Sequence, residues 1–155
     1  MKIAVFSDSH GNTENMLSAI ADFAPDCVIH LGDVSRDAEF IAEQYPQLEL
    51  YSVRGNCDLF SSAPESQLIE LGGVRMFLAH GHRHGVKMSL DSFLNSVHFS
   101  GSALGLFGHT HRAMCRSFGS IQLFNPGSCG VGSSPTYGQI IMENGAAFCK
   151  IADIK

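Results

Sequence analysis

The first sixty residues alternate short apolar runs with stretches of helical periodicity. Residues 3–6, 27–31 and 48–53 are apolar runs of strand length. Between them, residues 16–23 and 37–44 carry apolar side chains at helical spacing, and a proline follows each stretch. This alternation predicts a β-α-β-α-β arrangement, in which right-handed crossovers join parallel strands.

The second half of the chain has strand patterns separated by tight-turn sequences. Two neighbouring strands flank Gly72-Gly73 and two more flank Asn144-Gly145, which are typical hairpin turns. The predicted elements are strands at 67–71, 74–79, 103–107, 121–124, 136–143 and 146–151 and a helix at 89–97. We therefore expect one α/β domain, residues 1–155, in which a parallel first half packs against a more antiparallel second half.

Composition narrows the classes of protein to which the chain can belong. With 155 residues, 45% of them hydrophobic and 16% charged, it can form one well-packed core and is too apolar to be mainly disordered. It is too short for a (β/α)₈ barrel enzyme. The net charge of −5, without a run of basic residues, argues against an extended nucleic-acid surface.

Cysteine and hydrophobic patterns indicate the expected location. The five cysteines are scattered and form no Cys-x-x-Cys pair, which is typical of reduced thiols in a cytoplasmic protein. No apolar stretch approaches the about 18 residues that a membrane span needs. We therefore expect a cytoplasmic protein that has no membrane partner.

Polar side chains that can bind metal follow five of the predicted strands, where each strand ends. They are Asp8, His10, Asp33, Asn56, His80, His109 and His111. Because the carboxyl ends of strands in an open α/β sheet meet in one crevice, we expect these side chains to lie close together. Carboxylate, imidazole and amide ligands without a thiolate suit Mn²⁺, Fe²⁺, Zn²⁺, Ni²⁺ or Co²⁺. Seven ligands are too many for one ion that keeps an open position, and they fit two ions if one carboxylate bridges them.

The order of these motifs resembles a known family. Asp8-Ser9-His10, Gly32-Asp33, Gly55-Asn56-Cys57-Asp58, His80-Gly81-His82 and Gly108-His109-Thr110-His111 are similar to the successive motifs of the calcineurin-like metallophosphoesterase superfamily. The cysteine in the third motif and the Asn125-Pro126-Gly127-Ser128 segment make the chain most similar to the YfcE-type phosphodiesterases. The resemblance runs from Met1 to about Ser128. It implies a calcineurin-like metallophosphoesterase sandwich, an α/β fold of two facing mixed β-sheets flanked by helices.

The resemblance also implies how two divalent ions share the ligands. One ion would be held by Asp8, His10, Asp33 and His111, and the other by Asp33, Asn56, His80 and His109, with Asp33 as the bridge. Manganese is the favoured ion, and nickel, zinc, iron, cobalt or magnesium are alternatives. Two dications outweigh the charge of two carboxylates, so the site would attract a small anionic phosphodiester even in an acidic protein. A bridging hydroxide would then attack phosphorus.

Catalytic roles are expected at Asn56, Cys57 and Asp58. The superfamily commonly has Gly-Asn-His-Asp or Gly-Asn-His-Glu here, and its histidine usually lies close enough to protonate the leaving group. Cys57 takes that position in this chain. A thiol, with an ordinary pKa of about 8.5, is a poor replacement acid. We therefore expect aryl and other activated phosphodiesters to be hydrolysed best, unless Cys57 lines the pocket without a chemical role.

Individual residues also allow simpler interpretations. An Asp or Asn after a strand commonly forms a turn or caps a helix. His30 lies within a predicted strand, and we expect it to be a hydrogen-bonded interior residue. His82 would orient His80, contact the substrate or lie on the rim. Arg54 and Arg112 adjoin the motifs and would pair with phosphate if their side chains point into the site.

Two other functions remain open at this point. The same fold serves as a scaffold subunit of the retromer coat, in which catalysis is poor or absent, so an interaction module is the first alternative. The second keeps the chemistry and acts on phosphomonoesters, cyclic nucleotides or nucleic-acid ends. All seven candidate ligands are present, which favours an enzyme over a scaffold. The resemblance is also compatible with a homodimer or homotetramer.

Overall fold

Two five-stranded sheets face each other, and helices cover their outer sides. The computed structural model describes residues 1–155. The first sheet has the strand order β10-β9-β1-β2-β3, in which β1, β2 and β3 are parallel. Its elements are β1 (Lys2–Phe6), α1 (Thr13–Phe23), β2 (Cys27–His30), α2 (Ser35–Gln44), β3 (Glu49–Ser52), β9 (Thr136–Glu143) and β10 (Ala146–Asp153). The terminal hairpin joins this sheet because β9 pairs antiparallel with β1.

The second sheet has the strand order β4-β5-β6-β8-β7. Its elements are β4 (Ser66–Leu71), β5 (Val74–Ala79), α3 (Asp91–Phe99), β6 (Leu104–Leu106), β7 (Met114–Phe118) and β8 (Ile121–Asn125), with one 3₁₀ turn at His82–His84. The three central strands are parallel, and the two outer strands pair antiparallel with them. No helix in this fold has both the length and the hydrophobicity that crossing a membrane requires.

Alternation of side chains along β1 shows how the layers are built. Ile3 and Val5 point into the core between the two sheets, which holds 16 buried residues drawn from both. Ala4 and Phe6 point the other way, into a second cluster under α1 and α2. Since successive strand residues face opposite sides, a strand covered on both faces must be apolar throughout, as this run is. A third cluster, around Phe93, packs α3 against the second sheet.

The structure confirms the predicted sandwich of two mixed sheets and differs from the sequence expectations in detail. β7 was not predicted, because three of its five residues are exposed and it pairs only at the edge of the sheet. Helix α1 begins at Thr13, earlier than its first buried position, because the Asn12 side chain accepts a hydrogen bond from the backbone N–H of Asn15. The parallel pairing at the centre of the second sheet was also not anticipated.

Candidate metal centre

Loops from both sheets carry the candidate ligands to one end of the sandwich. The first sheet supplies Asp8, His10 and Asp33, and the second supplies His80, His109 and His111. Asp8 Oδ1 lies 3.2 Å from His111 Nε2, and Asp33 Oδ2 lies 3.5 Å from His80 Nε2. Side chains from opposite sheets therefore meet. These six residues lie close together, and the assignment of all seven candidates, Asn56 included, as metal ligands stays a prediction.

The first group of candidate ligands consists of Asp8, His10 and His111. One ligand atom from each residue lies within 4.8 Å of the others. The rings of His10 and His111 are 5.4 Å apart, centroid to centroid, and tilted by 57°. A carboxylate and two imidazoles at this separation can bind one divalent cation.

The second group consists of Asp33, His80 and His109, whose ligand atoms also lie within 4.8 Å of one another. Asp33 Oδ2 is in addition 4.0 Å from His10 Nε2, a member of the first group. Asp33 therefore lies between the two groups, where a carboxylate that bridges two ions would have to be.

Two buried polar atoms in these groups have no hydrogen-bond partner, Asp8 Oδ1 and His80 Nε2. The other ring nitrogen of His80, Nδ1, lies 2.7 Å from the carbonyl oxygen of Leu31 and donates to it. In the neutral ring, that bond leaves the lone pair of Nε2 directed at Asp8 and Asp33. Because unpartnered buried polar atoms are costly, this arrangement fits a bound cation.

The remaining oxygens of both carboxylates are held by the protein. Asp8 Oδ2 accepts hydrogen bonds from Ser7 Oγ at 2.6 Å and from the backbone N–H of His109 at 3.0 Å. Asp33 Oδ1 accepts one from the backbone N–H of Cys57 at 2.9 Å. Each carboxylate is thus fixed by one oxygen and presents the other to the candidate ligands. Ser7 was missed at the sequence level because nothing in its spacing distinguishes it from an ordinary strand-end serine.

Burial and charge together set the protonation of the centre. Burial raises the pKa of Asp33, but the neighbouring ring of His80 and the hydrogen bond from the backbone N–H of Cys57 outweigh burial and hold that pKa well below the usual range. Burial lowers the pKa of His80, whereas the neighbouring carboxylates of Asp33 and Asp8 raise that pKa to a net value above the ordinary one. Burial and the charge of His80 lower the pKa of His109 to about 4. At neutral pH, Asp33 is therefore ionised and His109 neutral, the states in which both bind metal.

The backbone at five candidate ligands is left-handed. The φ angles of Asp8, His10, Asp33, His109 and His111 are 54°, 46°, 62°, 64° and 57°. For residues other than glycine this conformation costs about 1–3 kcal/mol each, and it clusters at functional sites. Surrounding contacts keep it in place: the N–H of Asp8 donates to the carbonyl of Gly32 at 3.0 Å. The strain is a second indication, independent of side-chain distances, that this end of the sandwich is functional.

The loop after β3 carries the three residues expected to be catalytic. Asn56 is exposed, and its side-chain N–H₂ donates to Cys57 Sγ at 3.5 Å. Its place among the metal ligands stays a prediction. Cys57 Sγ lies within 4.8 Å of ligand atoms of His10 and Asp33. Burial and the charge of Asp33 raise the pKa of this thiol.

Asp58 lies beneath this loop instead of facing the groups. Its buried carboxylate accepts hydrogen bonds from the backbone N–H groups of Asp33, Gly55 and Ser35 at 3.0, 2.8 and 2.7 Å. These contacts point to a positioning role for Asp58, since they tie the Asp33 loop to the Cys57 loop. The two loops touch so closely that a Cβ on Gly32 would lie 2.6 Å from the backbone nitrogen of Gly55.

A buried network supports the loops from the helix side. His30 is fully buried, as predicted, with Nε2 3.0 Å from Ser9 Oγ and Nδ1 accepting from the N–H of Gly32 at 3.3 Å. Ser9 Oγ donates to Asp37 Oδ2 at 2.6 Å. Asp37 was missed at the sequence level because it reads as an ordinary acidic residue in the first turn of a helix.

Asn125 and Ser128 fix the loops of the second sheet. The side-chain N–H₂ of Asn125 donates to the carbonyl of Gly108 at 2.9 Å and to Thr110 Oγ1 at 3.1 Å. Ser128 Oγ donates to the carbonyl of Asp8 at 2.8 Å. The segment expected to form a turn near the site therefore anchors loops on both sides of it.

Three arginines and one further histidine lie near the candidate ligands, and they differ in whether an acidic side chain already pairs with them. Arg54 and Arg83 both pair with Glu65, at 2.6 and 2.7 Å, so neither is free for phosphate in this arrangement. Arg112 forms no ion pair with an acidic side chain. The ring of His82 lies 5.4 Å from that of His80, at the border of the second group.

Comparison with known proteins identifies the family. A profile of the calcineurin-like phosphoesterase superfamily domain matches residues 1–144. The chain is 31% identical over 160 residues to the probable metallophosphoesterase YsnB of Bacillus subtilis, covering 99% of this chain and 91% of the relative. It is 29% identical over 167 residues to the phosphodiesterase YfcE of Escherichia coli strain K12, covering 90% and 87% of the two chains.

Similarity in fold extends to Vps29. The structure of wild-type Vps29 from Entamoeba histolytica in complex with Zn²⁺ superposes with a TM-score of 0.76 and 17% identity, covering 100% of both chains. At that identity the match shows a shared fold only. On the profile and the sequence relatives, the chain belongs to the calcineurin-like phosphoesterase superfamily and is a hydrolase of ester bonds that uses divalent metal ions.

Proposed function

We propose that this protein hydrolyses small phosphodiesters at a centre of two divalent metal ions, within a single domain of residues 1–155. The observation that carries the proposal is the position of the Asp33 carboxylate, which lies between two groups of candidate ligands. One group is Asp8, His10 and His111, and the other is His80 and His109. The relative named as a phosphodiesterase supports the choice of substrate class.

A pair of ions bound there would supply a nucleophilic hydroxide and neutralise negative charge on the phosphate oxygens. The chain's own part is to hold ligands in place and to keep them in the right protonation state. Asp8 and Asp33 are each fixed by one oxygen, and the Leu31 carbonyl orients the ring of His80. Such preorganisation stabilises a transition state without rearrangement during the reaction.

Asn56 and Cys57 are the residues proposed to face the ester. Asn56 is exposed beside the centre, so its amide can rotate to donate a hydrogen bond to a phosphate oxygen or to bind the second ion. Cys57 is on the same loop as Asn56 and lies close to Asp33, at the position where the superfamily commonly has its histidine. A thiol there is a poor general acid toward the leaving group.

The test is reconstitution of metal-stripped protein with Mn²⁺, Ni²⁺, Zn²⁺ or Mg²⁺. Each form is assayed on bis(p-nitrophenyl) phosphate and on p-nitrophenyl phosphate, and bound metal is counted by elemental analysis. We expect about two ions per chain and preferential hydrolysis of the diester, with manganese most effective. Preference for the monoester would make the protein a phosphatase instead. Hydrolysis of neither ester with any ion would favour the scaffold function.

A further inference from the structure

A groove adjoins the centre on the side of His109 and His111. It encloses about 530 Å³, within the range of pockets for small molecules. Its floor is apolar and is formed by Val86, Leu90, Phe107 and Met114. Thr110, which lies between the two histidines in sequence, forms part of its wall. The groove therefore borders the loop that carries these two candidate ligands.

Two cationic side chains line the groove, Lys87 and Arg112. Both residues are exposed, neither is among the ion pairs of the protein, and no acidic side chain lines the groove. This is unusual on a chain of net charge −5, in which the other two arginines near the centre are both paired with Glu65. Two unpaired cations above an apolar floor complement a ligand that is both apolar and anionic.

The wall of the groove is fixed by hydrogen bonds. Thr110 Oγ1 accepts hydrogen bonds from the Asn125 side chain at 3.1 Å and from the backbone N–H of Arg112 at 3.2 Å. A preformed groove loses little entropy when it binds.

We infer that this groove binds the ester group that stays on phosphorus, and that it selects a nucleoside carrying a second phosphate. The flat base would lie on the apolar floor, and Lys87 and Arg112 would pair with the second phosphate. The inference rests on the proposed function, because the groove borders the centre at which the ester would be hydrolysed. In the reaction, the bond from phosphorus to the leaving oxygen breaks, a bond to a water-derived oxygen forms, and a proton is released to solvent.

The experiment compares two substrates that differ by one phosphate. Both are p-nitrophenyl esters of thymidine 5′-phosphate, one with a free 3′-hydroxyl and one with a 3′-phosphate. The leaving group is p-nitrophenolate in each case, so the ratio of their kcat/KM values reports the 3′-phosphate alone. We expect metal-loaded protein to prefer the 3′-phosphorylated ester about tenfold or more, as a charge-assisted contact would give.

Variants assign the preference to the groove. Lys87→Met and Arg112→Gln should each lower the ratio about tenfold, mainly through KM. Lys150→Met is the matched control, since Lys150 is an exposed lysine on β10, outside the groove, and should leave the ratio as it is. A ratio near one in the unmodified protein, or one that Lys150→Met lowers as much as Lys87→Met does, would overturn the inference.

A binding measurement separates this inference from the proposed function. Thymidine 3′,5′-bisphosphate and thymidine 5′-phosphate are titrated into the metal-loaded protein and the three variants by calorimetry. Tighter binding of the bisphosphate that depends on Lys87 and Arg112 supports the groove even if neither ester is hydrolysed, in which case only the proposed function fails. Equal binding of both nucleotides by a protein that hydrolyses the esters removes the inference and leaves the proposed function intact.

Discussion

Asp33 is the residue on which the proposed centre depends most. We expect Asp33→Asn to lose hydrolysis and at least one bound ion, while the domain still folds. Asparagine retains an oxygen that can accept from the N–H of Cys57, but it removes the negative charge between the two groups. The loss should exceed the about 10–100-fold typical of residues that only support ligands.

Activity, metal content and circular dichroism measured on one preparation check this prediction. Asp22→Asn, on the exposed side of α1, is the control for loss of a surface carboxylate. Unchanged turnover with two ions bound to Asp33→Asn would show that Asp33 is no bridge. His109→Ala is expected to lose activity in the same way, because His109 belongs to the second group.

The thiol at position 57 should affect how the rate of hydrolysis depends on the pKa of the leaving group. Because a thiol is a poor general acid, wild-type protein should hydrolyse esters increasingly poorly as the pKa of the leaving alcohol rises. Cys57→His should flatten that dependence, since histidine titrates near neutral pH. The measurement is kcat/KM for a series of aryl phosphodiesters, with Cys57→Ser as the control. The same slope in Cys57→His and wild type would contradict an acid role at this position.

His30 predicts how stability depends on pH. Burial lowers the pKa of its ring to about 4. Protonation of Nδ1 would also break the hydrogen bond that this atom accepts from the N–H of Gly32. Between about pH 6.5 and 4 the unfolded chain binds this proton and the folded chain does not, so stability is lost as the pH falls. At about 1.4 kcal/mol per pKa unit, the loss from His30 approaches about 3 kcal/mol.

Urea unfolding of metal-free protein at several pH values measures that effect. His30→Gln should have a smaller fall in the free energy of unfolding than wild type over this range, since glutamine does not titrate. His98→Gln is the control, because His98 is exposed on α3 and should follow wild type. Identical curves for wild type and His30→Gln would exclude His30 as a source of acid sensitivity.

At the same scale, sequence marks the candidate ligands more clearly than the residues that support them. Asp8, His80 and His109 stand out as candidates because chemistry restricts a ligand to few residue types. The supports are a backbone carbonyl of Leu31, a serine hydroxyl and the Asp37 carboxylate, and these act only through tertiary contacts. Many residue types can supply such contacts, so no local sequence pattern predicts which residues support the ligands.

Among the elements, the end of β8 supports the loop after β6, which carries the candidate ligands His109 and His111. We expect Asn125→Ala to reduce the free energy of unfolding by about 1–3 kcal/mol, because the Gly108 carbonyl and the N–H of Gly127 lose their buried partner. It should also weaken metal binding by about 10–100-fold, since the support of the His109 loop is lost.

Metal titration and urea unfolding of the same samples check both effects. Asn125→Asp retains the acceptor for Gly127 but places a buried carboxylate oxygen against the Gly108 carbonyl, so it should weaken metal binding and cost at least as much folding stability as Asn125→Ala. Unaltered metal affinity in both variants would mean that the His109 loop keeps its shape without Asn125.

Elements with a clear periodicity are predicted well, and pairing is predicted less well. β1, β2 and β3 follow from apolar runs separated by helical stretches. β7 does not, since it is an edge strand whose residues are mostly exposed and its register is set by β8 alone. The strands that pair with β6 could not be predicted either, because a strand of three residues is too short for its sequence to indicate its partners.

For the whole molecule, a core shared by both sheets predicts cooperative unfolding. Sixteen buried residues from the two sheets form one cluster, so neither sheet keeps its core when the other unfolds. Metal-free protein should therefore unfold in urea in one transition, with coincident curves from near- and far-ultraviolet circular dichroism. Two separate transitions would contradict the assignment of residues 1–155 to a single domain.

The origin of the ligands in different sheets has a thermodynamic consequence. An ion held by Asp8 and His111, or by Asp33 and His80, would be a reversible cross-link between the two halves of the sandwich. Above its dissociation constant, each tenfold rise in free ion would add about 1.4 kcal/mol to the free energy of unfolding. The lifetime of the folded chain would then follow the supply of that ion in its surroundings, whether or not a substrate is present.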